Sequence, residues 1–309
     1  MRILVLGAGA LGGYFGGRLA EAGADVTFLV RPRRNEEIAK NGLAIQSPAG
    51  NFNGPVRTVS ADALGADYDA ALFTCKAYDL AGAIEAIRPA MGPDTRVLPV
   101  LNGIRHLETL DAAFGKARVL GGTAQIGATL MPGGAIRHMS SFHLLAFGER
   151  VPAQANFCGH LARLMEPAKF DARHSPHIMQ DMWNKFVMIA VVAGMTTLMR
   201  GSIGDIVAAR DGAALIGAAL RESAAVAAAA GYGQDAQALA GLEAWLTEKG
   251  STFSSSMLRD IEKKGAIEAD HIVGDMLARA EAAKHPAPML RTIYAALQTY
   301  QARRQREGW

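Results

Sequence analysis

Hydrophobic residues in the first half of the chain follow two periodicities in turn. Continuous apolar runs over residues 2–6, 25–30 and 70–75 are typical of strands buried on both faces of a parallel sheet. Apolar residues over 11–22 and 79–87 recur every three or four positions, which predicts helices between those strands. Further predicted elements are strands over 96–101, 119–123 and 137–147 and a helix over 107–114. The alternation predicts a parallel sheet with helices on both faces, closed by the strand over 137–147.

The second half of the chain loses the strand signals. From about residue 178 onward, apolar positions recur at helical spacing, and helices are predicted over 208–230, 239–249, 267–284 and 289–304. The pattern changes near Pro176. We therefore predict an α/β domain over residues 1–172 and an all-helical domain over 173–309.

Composition and charge exclude several classes of protein. The chain has 309 residues, of which 50% are hydrophobic and 20% charged, so it can bury two cores and is not a disordered protein. The net charge of +3 is spread without a basic run, which argues against a nucleic-acid partner and fits a small anionic ligand. The apolar N-terminal run is too short for a membrane span and has no cleavage-like site, so a cytoplasmic protein is expected.

The cysteines and histidines do not follow a metal-binding pattern. Cys75 and Cys158 lie far apart in the sequence, without the spacing of a zinc site or a disulfide framework. His174 and His177 have no acid or cysteine beside them at metal-ligand spacing. The sequence therefore predicts neither a metal site nor a disulfide, and a reducing compartment is the simplest assumption.

A glycine-rich turn follows the first predicted strand and opens the first predicted helix. It has the pattern GxGxxG, formed by Gly7, Ala8, Gly9, Ala10, Leu11 and Gly12. In this context the glycines allow a tight turn, a close approach of the backbone to a pyrophosphate, and close helix–strand packing. The helix N-terminus adds unpaired N–H groups for the phosphates. The pattern predicts a Rossmann-type dinucleotide site; the alternative is a glycine-rich turn without a ligand.

The residue after the second predicted strand distinguishes the two nicotinamide dinucleotides. NAD-binding units usually carry Asp or Glu there for the ribose hydroxyls. This chain has Arg31, with Arg33 and Arg34 close behind. A guanidinium can bind a 2′-phosphate through paired, charge-assisted hydrogen bonds, whereas a carboxylate would repel it. We predict NADP(H) as the cofactor and Arg31 as its contact; a solvated basic loop is the alternative.

Short motifs along nearly the whole chain resemble ketopantoate reductase (2-dehydropantoate 2-reductase). After the glycine turn and the arginine come TCKA at 74–77, LNG at 101–103, WNKF at 183–186, SSSMLRD at 254–260 and IEAD at 267–270. The resemblance implies a Rossmann domain followed by a helical domain like that of 6-phosphogluconate dehydrogenase. It also implies NADPH-dependent reduction of a 2-keto acid to a 2-hydroxy acid; in the family the product is pantoate, which feeds pantothenate synthesis.

Lys185 opens an apolar run and matches the proton donor of the family. Hydride delivery to a ketone builds negative charge on the oxygen, which a general acid must neutralise. A lysine whose pKa is lowered by burial can do this at neutral pH. The alternative is an ordinary lysine at a helix end, with its ammonium extended into water.

Four further residues take roles that the resemblance implies. Asn102 would contact both cofactor and substrate, although Asn-Gly is also a common turn dipeptide. Lys76 would contact the cofactor, or be a plain loop lysine. Ser256 would bind the substrate carboxylate, or cap a helix. Glu268 would act at the nicotinamide end near the lysine, or be an ordinary acid at a helix start. Because residues two apart face different sides of a helix, we choose Glu268 over Asp270.

The chain departs from the family on the helix of the catalytic lysine. The family carries two substrate-binding asparagines there, and this chain has Ile189 and Ala193 in their places. Losing amide partners changes which substrate fits, because a polar substrate group is left unpaired. Thr196 and Thr197 are candidates to supply hydroxyls instead. We therefore expect an NADPH-dependent 2-keto-acid reductase, with two alternatives for its substrate: ketopantoate, bound more weakly than in the family, or a different 2-keto acid.

Two other functions stay open on the sequence alone. One is a dehydrogenase for an imine or a 3-hydroxy acid on the same fold, which differs only in its substrate pocket. The other is a non-catalytic NADP(H)-binding sensor, which the lost asparagines permit and the retained Lys185, Ser256 and Glu268 oppose. No membrane partner is expected. The helical half carries enough apolar surface for a homodimer, although no interface motif identifies one.

Overall fold

The computed structural model describes residues 1–66 and 68–309, which form two compact units. The first unit holds residues 1–101 and 106–181, and the second holds residues 102–105 and 182–309. The predicted boundary follows residue 172, whereas the break between the units follows Asp181. The reason is packing: the Ile178 side chain closes against Gly121 and Gly148, where an added Cβ would lie within 2.7 and 3.0 Å of it.

The first unit contains the described strands of the chain, which form two sheets. The strands are β1 (Arg2–Leu6), β2 (Asp25–Leu29), β3 (Leu43–Gln46), β4 (Phe52–Gly54), β5 (Arg57–Val59), β6 (Ala70–Phe73), β7 (Arg96–Pro99), β8 (Gly121–Leu130), β9 (Ile136–Gly148) and β10 (Asp171–His174). The first sheet has the order β5-β2-β1-β6-β7, and all of its paired strands are parallel. This is the predicted parallel sheet.

The late strand lies in a second sheet, so the prediction that it closes the first one is wrong. One edge of β9 pairs with β3 near its start and with β10 near its end, and the other edge pairs with β8. β9 is 13 residues long; most of its residues over 137–144 are exposed or half-buried, and its last four residues are buried. β9 therefore pairs along most of its length with the antiparallel strand β8 and not with a strand of the parallel sheet.

The first four helices of the first unit follow strands of the parallel sheet, and the fifth follows β9 and packs against the second sheet. They are α1 (Ala10–Glu21), α2 (Pro32–Asn41), α3 (Leu80–Ile87), α4 (His106–Phe114) and α5 (Ala155–Met165). The side chains of Leu4, Val5 and Phe28 are fully buried beneath them. Helix α1 approaches the strands closely because glycines stand where it meets them: a Cβ at Gly16 would lie 2.8 Å from the Phe28 ring.

The second unit is helical in its described residues, as the sequence predicts. Its helices are α6 (Ile178–Met199), which starts in the first unit, α7 (Ile203–Ala208), α8 (Gly212–Ala229), α9 (Ala236–Leu246), α10 (Ser256–Glu262), α11 (Asp275–Ala282) and α12 (Pro288–Glu307). A π-helix over Asp270–Gly274 leads into α11. By length and composition alone α6 and α8 could cross a membrane, but 67% of the apolar window of α6 is buried within the protein.

Candidate active site

The glycine turn between β1 and α1 has the geometry of a phosphate-binding loop. Gly7 has a φ of +89°, a conformation that favours glycine. A Cβ at Gly12 would lie 2.2 Å from the Gly7 carbonyl oxygen and 2.4 Å from Thr74 Oγ1, so only glycine fits. A Cβ at Gly9 would meet nothing within 4 Å, which leaves the loop open on its outer side.

The N-terminus of α1 fits an anionic group. Gly9 caps the helix without a side-chain hydrogen bond, and the first turn carries no acidic residue. The first N–H groups of the helix are therefore directed at the open side of the loop, where they and the helix dipole favour phosphate. Thr74, after β6, donates its hydroxyl to the Leu6 carbonyl oxygen at 2.7 Å and holds the strand end beside the turn.

Arg31 and Arg34, at the start of α2, have contrasting environments. Arg31 is the N-terminal cap residue of α2; its side chain is 86% exposed and lies 3.6 Å from the Asp79 carboxylate. Arg34 is only 15% exposed and donates from Nε to the Ala8 carbonyl oxygen of the glycine turn at 3.2 Å. Its Nη1 pairs with Glu37 at 3.2 Å, and its buried Nη2 has no hydrogen-bond partner among the described residues. The sequence predicted that Arg31 contacts the cofactor. The structure shows that Arg34, three residues later on the helix, also reaches the glycine turn.

Lys76 lies at the carboxyl end of β6, where parallel sheets bind ligands. It caps the short 3₁₀ turn over Ala77–Asp79 and is partly exposed. The glycine turn, the two α2 arginines and Lys76 all belong to the first unit. Together these groups fit the phosphates of a dinucleotide, and the buried Arg34 Nη2, which has no hydrogen-bond partner among the described residues, is a donor that an anion could use.

Lys185 is the eighth residue of the long apolar helix α6 and lies at the start of its third turn. Phe186 and Val187 beside it are fully buried, and only part of the Lys185 side chain is exposed. The loss of water around its ammonium lowers the pKa of Lys185 to about 8, and the negative charge of Glu268 acts in the opposite direction. The lysine is therefore mostly protonated at neutral pH and can also release its proton, as a general acid requires.

Glu268 is held in place by an unusual stretch of backbone. Glu268 is only 6% exposed and lies two residues before the π-helix, where the Gly274 N–H donates to the Ala269 carbonyl oxygen at 2.9 Å. Asp270, by contrast, is exposed and accepts a hydrogen bond from the Tyr294 hydroxyl at 2.7 Å. The two acids therefore have different surroundings, and Glu268 alone bears on Lys185. A π-helix often marks a functional site.

The segment after β7 that carries Asn102 packs against this π-helix. Gly103 has a φ of +75°, and a Cβ there would lie 2.9 Å from the His271 carbonyl oxygen. The His271 ring donates to the Asn102 backbone carbonyl. Burial lowers the pKa of His271, and the positive charge of Arg105 also lowers it, while Glu268 and Asp275 raise it. The second unit thus brings together Lys185, Glu268, His271 and the Asn102 segment.

His271 is the residue that sequence reasoning missed. Its position, three after Glu268 within the last motif, was a signal, but a lone histidine on a predicted helix carries no chemistry by itself. In the folded protein His271 has a structural role: its ring N–H donates to the Asn102 backbone carbonyl and fixes the turn that carries the Asn102 side chain.

Ser256 begins α10 and is exposed, whereas the neighbouring Ser255 is the buried cap. The Ser255 hydroxyl accepts from the Leu258 N–H at 3.0 Å and lies 2.8 Å from Thr196 Oγ1. The capping role considered for Ser256 therefore belongs to Ser255, and the Ser256 hydroxyl stays accessible. That leaves Ser256 available for a ligand in the second unit.

The helix face beyond Lys185 is apolar. Ile189 is partly buried and Ala193 is buried. The Thr196 hydroxyl donates to the Val192 carbonyl at 2.7 Å, and the Thr197 hydroxyl donates to the Ala193 carbonyl at 2.5 Å. Both hydroxyl protons are thus used within the helix, so neither threonine donates to a substrate in place of the missing asparagines.

Comparison with known proteins agrees with these features. Residues 3–151 match the family described as "Ketopantoate reductase PanE/ApbA", and residues 177–301 match "Ketopantoate reductase PanE/ApbA C terminal". The chain is similar to the uncharacterized oxidoreductase YkpB of Bacillus subtilis (strain 168), with 38% identity over 98% of this chain and 99% of that protein.

Two solved structures have the same fold over almost their whole length. One is 2-dehydropantoate 2-reductase from Geobacter metallireducens GS-15, with 27% identity, a TM-score of 0.89, and 97% and 99% of the two chains covered. The other is D-mandelate dehydrogenase with NADH and anilino(oxo)acetate, with 19% identity, a TM-score of 0.89, and 99% and 100% covered. The predicted two-domain architecture is confirmed.

Proposed function

Since the chain belongs to the ketopantoate reductase family and is an oxidoreductase, we propose that it reduces a 2-keto acid to a 2-hydroxy acid with NADPH. The observation that carries the proposal is Lys185, whose pKa burial lowers to about 8 beside Glu268. A lysine in that state is a proton donor suited to a ketone that is being reduced.

In the proposed reaction the residues of the second unit bind, orient and protonate the keto acid. A bound nicotinamide would supply the hydride. Lys185 Nζ would donate its proton to the carbonyl oxygen as charge develops there, and Glu268 would favour the charged lysine before transfer. The accessible Ser256 hydroxyl would bind the substrate carboxylate, and Asn102, steadied by His271, would orient both ligands.

The choice of NADPH over NADH is supported by the residues around the glycine turn. The two residues after β2 are Val30 and Arg31, so Arg31 stands where an NAD-binding unit would carry a carboxylate. Arg34 adds a buried guanidinium that already contacts the turn and has a nitrogen left without a partner. Two guanidiniums suit a 2′-phosphate.

The proposed substrate is a 2-keto acid with an apolar side chain, not the hydroxyl-bearing ketopantoate. Ile189 and Ala193 offer no hydrogen bond, and the threonine hydroxyls of α6 are used within the helix. A substrate hydroxyl group placed against that surface would give up its hydrogen bonds to water without making new ones to the protein. Steady-state assays with ketopantoate and a series of 2-keto acids of increasing side-chain size test this. Highest kcat/KM for ketopantoate would contradict it and would place the protein in pantothenate synthesis.

The same assays separate an enzyme from a cofactor-binding sensor. We expect Lys185→Met to lose turnover of every keto acid while NADPH still binds, as measured by fluorescence titration. Turnover that survives in full would show that Lys185 is not the acid. Cys75 and Cys158 form no disulfide within the part of the chain that the structure describes, which suits the cytoplasmic location that we propose.

A further inference from the structure

Three side chains of the first unit that are distant in sequence meet at one place. Glu149 directly follows β9, Cys158 lies in α5, and His174 ends β10. Their ligand atoms all lie within 4.8 Å of one another, and Glu149 Oε2 is 2.7 Å from His174 Nε2. One carboxylate oxygen, one sulfur and one imidazole nitrogen therefore lie close enough together to bind a single ion.

The surrounding structure fixes two of these three ligands. Parallel pairing of β9 with β10 sets His174 opposite Phe147, and the two rings stack with centroids 5.6 Å apart and planes 4° apart. Cys158 is fully buried in the helix that packs behind. His174 and Glu149 keep 32% and 24% of their side chains exposed, so solvent reaches the cluster from their side.

We propose that Glu149, Cys158 and His174 form a binding site for Zn²⁺, with water as the fourth ligand. Sulfur, imidazole and carboxylate are the donors that Zn²⁺ takes in proteins. Bond lengths of about 2.0–2.3 Å at tetrahedral angles separate such donors by roughly 3.4–3.6 Å, which the 4.8 Å limit of the cluster accommodates. On binding, the Cys158 thiol loses its proton to solvent. The Nε2 proton that His174 donates to Glu149 is exchanged through solvent for one on Nδ1, so the His174–Glu149 hydrogen bond is replaced by one bond from each residue to the metal.

The site would tie α5 to the ends of β9 and β10, and it is independent of the proposed reductase activity. The sequence predicted no metal because each ligand comes from a different element. Zinc signatures in sequence depend on two ligands a few residues apart. Here the nearest two, Glu149 and Cys158, are separated by a 3₁₀ turn and the first three residues of α5.

Co²⁺ titration of the chelator-treated protein tests the proposal, since cobalt reports a thiolate ligand through charge-transfer absorption in the near ultraviolet. We expect one equivalent of Co²⁺ to produce this band and one equivalent of Zn²⁺ to remove it. Cys158→Ser should abolish the band, and His174→Ala should weaken binding at least tenfold. The control variants Cys75→Ser and His177→Ala should behave as wild type.

The proposal is wrong if the wild-type protein gives no thiolate band, if Cys158→Ser keeps it, or if the control variants lose it equally. Cys158 is buried, so circular dichroism must show that its variant folds. If that variant does not fold, His174→Ala decides, because the partly exposed His174 side chain can be shortened without opening the core. Unchanged affinity in that variant overturns the site.

Discussion

The burial of Lys185 leads to a prediction in which stability and activity change in opposite directions. Replacing Lys185 with Met keeps a long unbranched side chain but removes the ammonium. At pH 7 the wild-type protein holds a protonated lysine in surroundings that disfavour its charge. We therefore expect Lys185→Met to raise the free energy of unfolding and to lower turnover about 100-fold or more, the usual contribution of a general acid.

The size of the stability change follows from the pKa. Folding lowers the pKa of Lys185 from 10.5 to about 8, and each pKa unit corresponds to about 1.36 kcal/mol. The variant should therefore gain up to about 3 kcal/mol at pH 7. Because the unfolded chain holds this proton up to higher pH, wild-type stability rises with pH between about 8 and 10.5. The advantage of the variant should shrink across the same window.

Urea denaturation of both proteins at pH 7 and near pH 10 measures this, with the exposed Lys249→Met as the matched control. The control should show no gain at either pH. A Lys185→Met protein that is less stable than wild type at pH 7, or whose stability difference does not change with pH, would refute the reasoning that burial sets the state of this lysine.

Three other variants test separate parts of the site. Glu268→Gln removes the charge that raises the pKa of Lys185, so the alkaline fall of the pH–rate profile should move to lower pH by roughly 0.5 unit or more, and an unmoved profile would contradict the coupling. Arg34→Gln should raise KM for NADPH about tenfold, with little effect on NADH, while the exposed Arg33→Gln changes neither. Gly12→Ala places a methyl group against backbone and should weaken cofactor binding at least tenfold in fluorescence titration; binding at wild-type strength would show that the turn can shift.

The sequence by itself determined the architecture, because hydrophobic periodicity records which faces must be buried. The five-stranded parallel sheet was predicted except for its short edge strand β5, and the helical second half was predicted as well. The sequence did not show the second sheet. Its strand β4 has only three residues, and β10 is exposed along its whole length, so neither has a hydrophobic pattern to detect.

The sequence also identified the residues of the candidate site, because their types and order resemble a known family. Only the tertiary structure decided the pKa, the exposure and the hydrogen bonds of these residues. The pKa of Lys185 depends on the packing around α6 and on Glu268 from a distant segment. The same folding assigned the capping role to Ser255 and leaves Ser256 accessible. It also joined His271 to the Asn102 turn.

The physical reason is the range of the interactions. Periodicity, capping preferences and glycine turns act over a few neighbouring residues, so they can be read along the chain. Desolvation and charge–charge interactions depend on which segments meet in space, and the sequence pattern of each segment holds no record of its partner. Lys185 itself could therefore be chosen from its motif, but its proton affinity was decided by the fold.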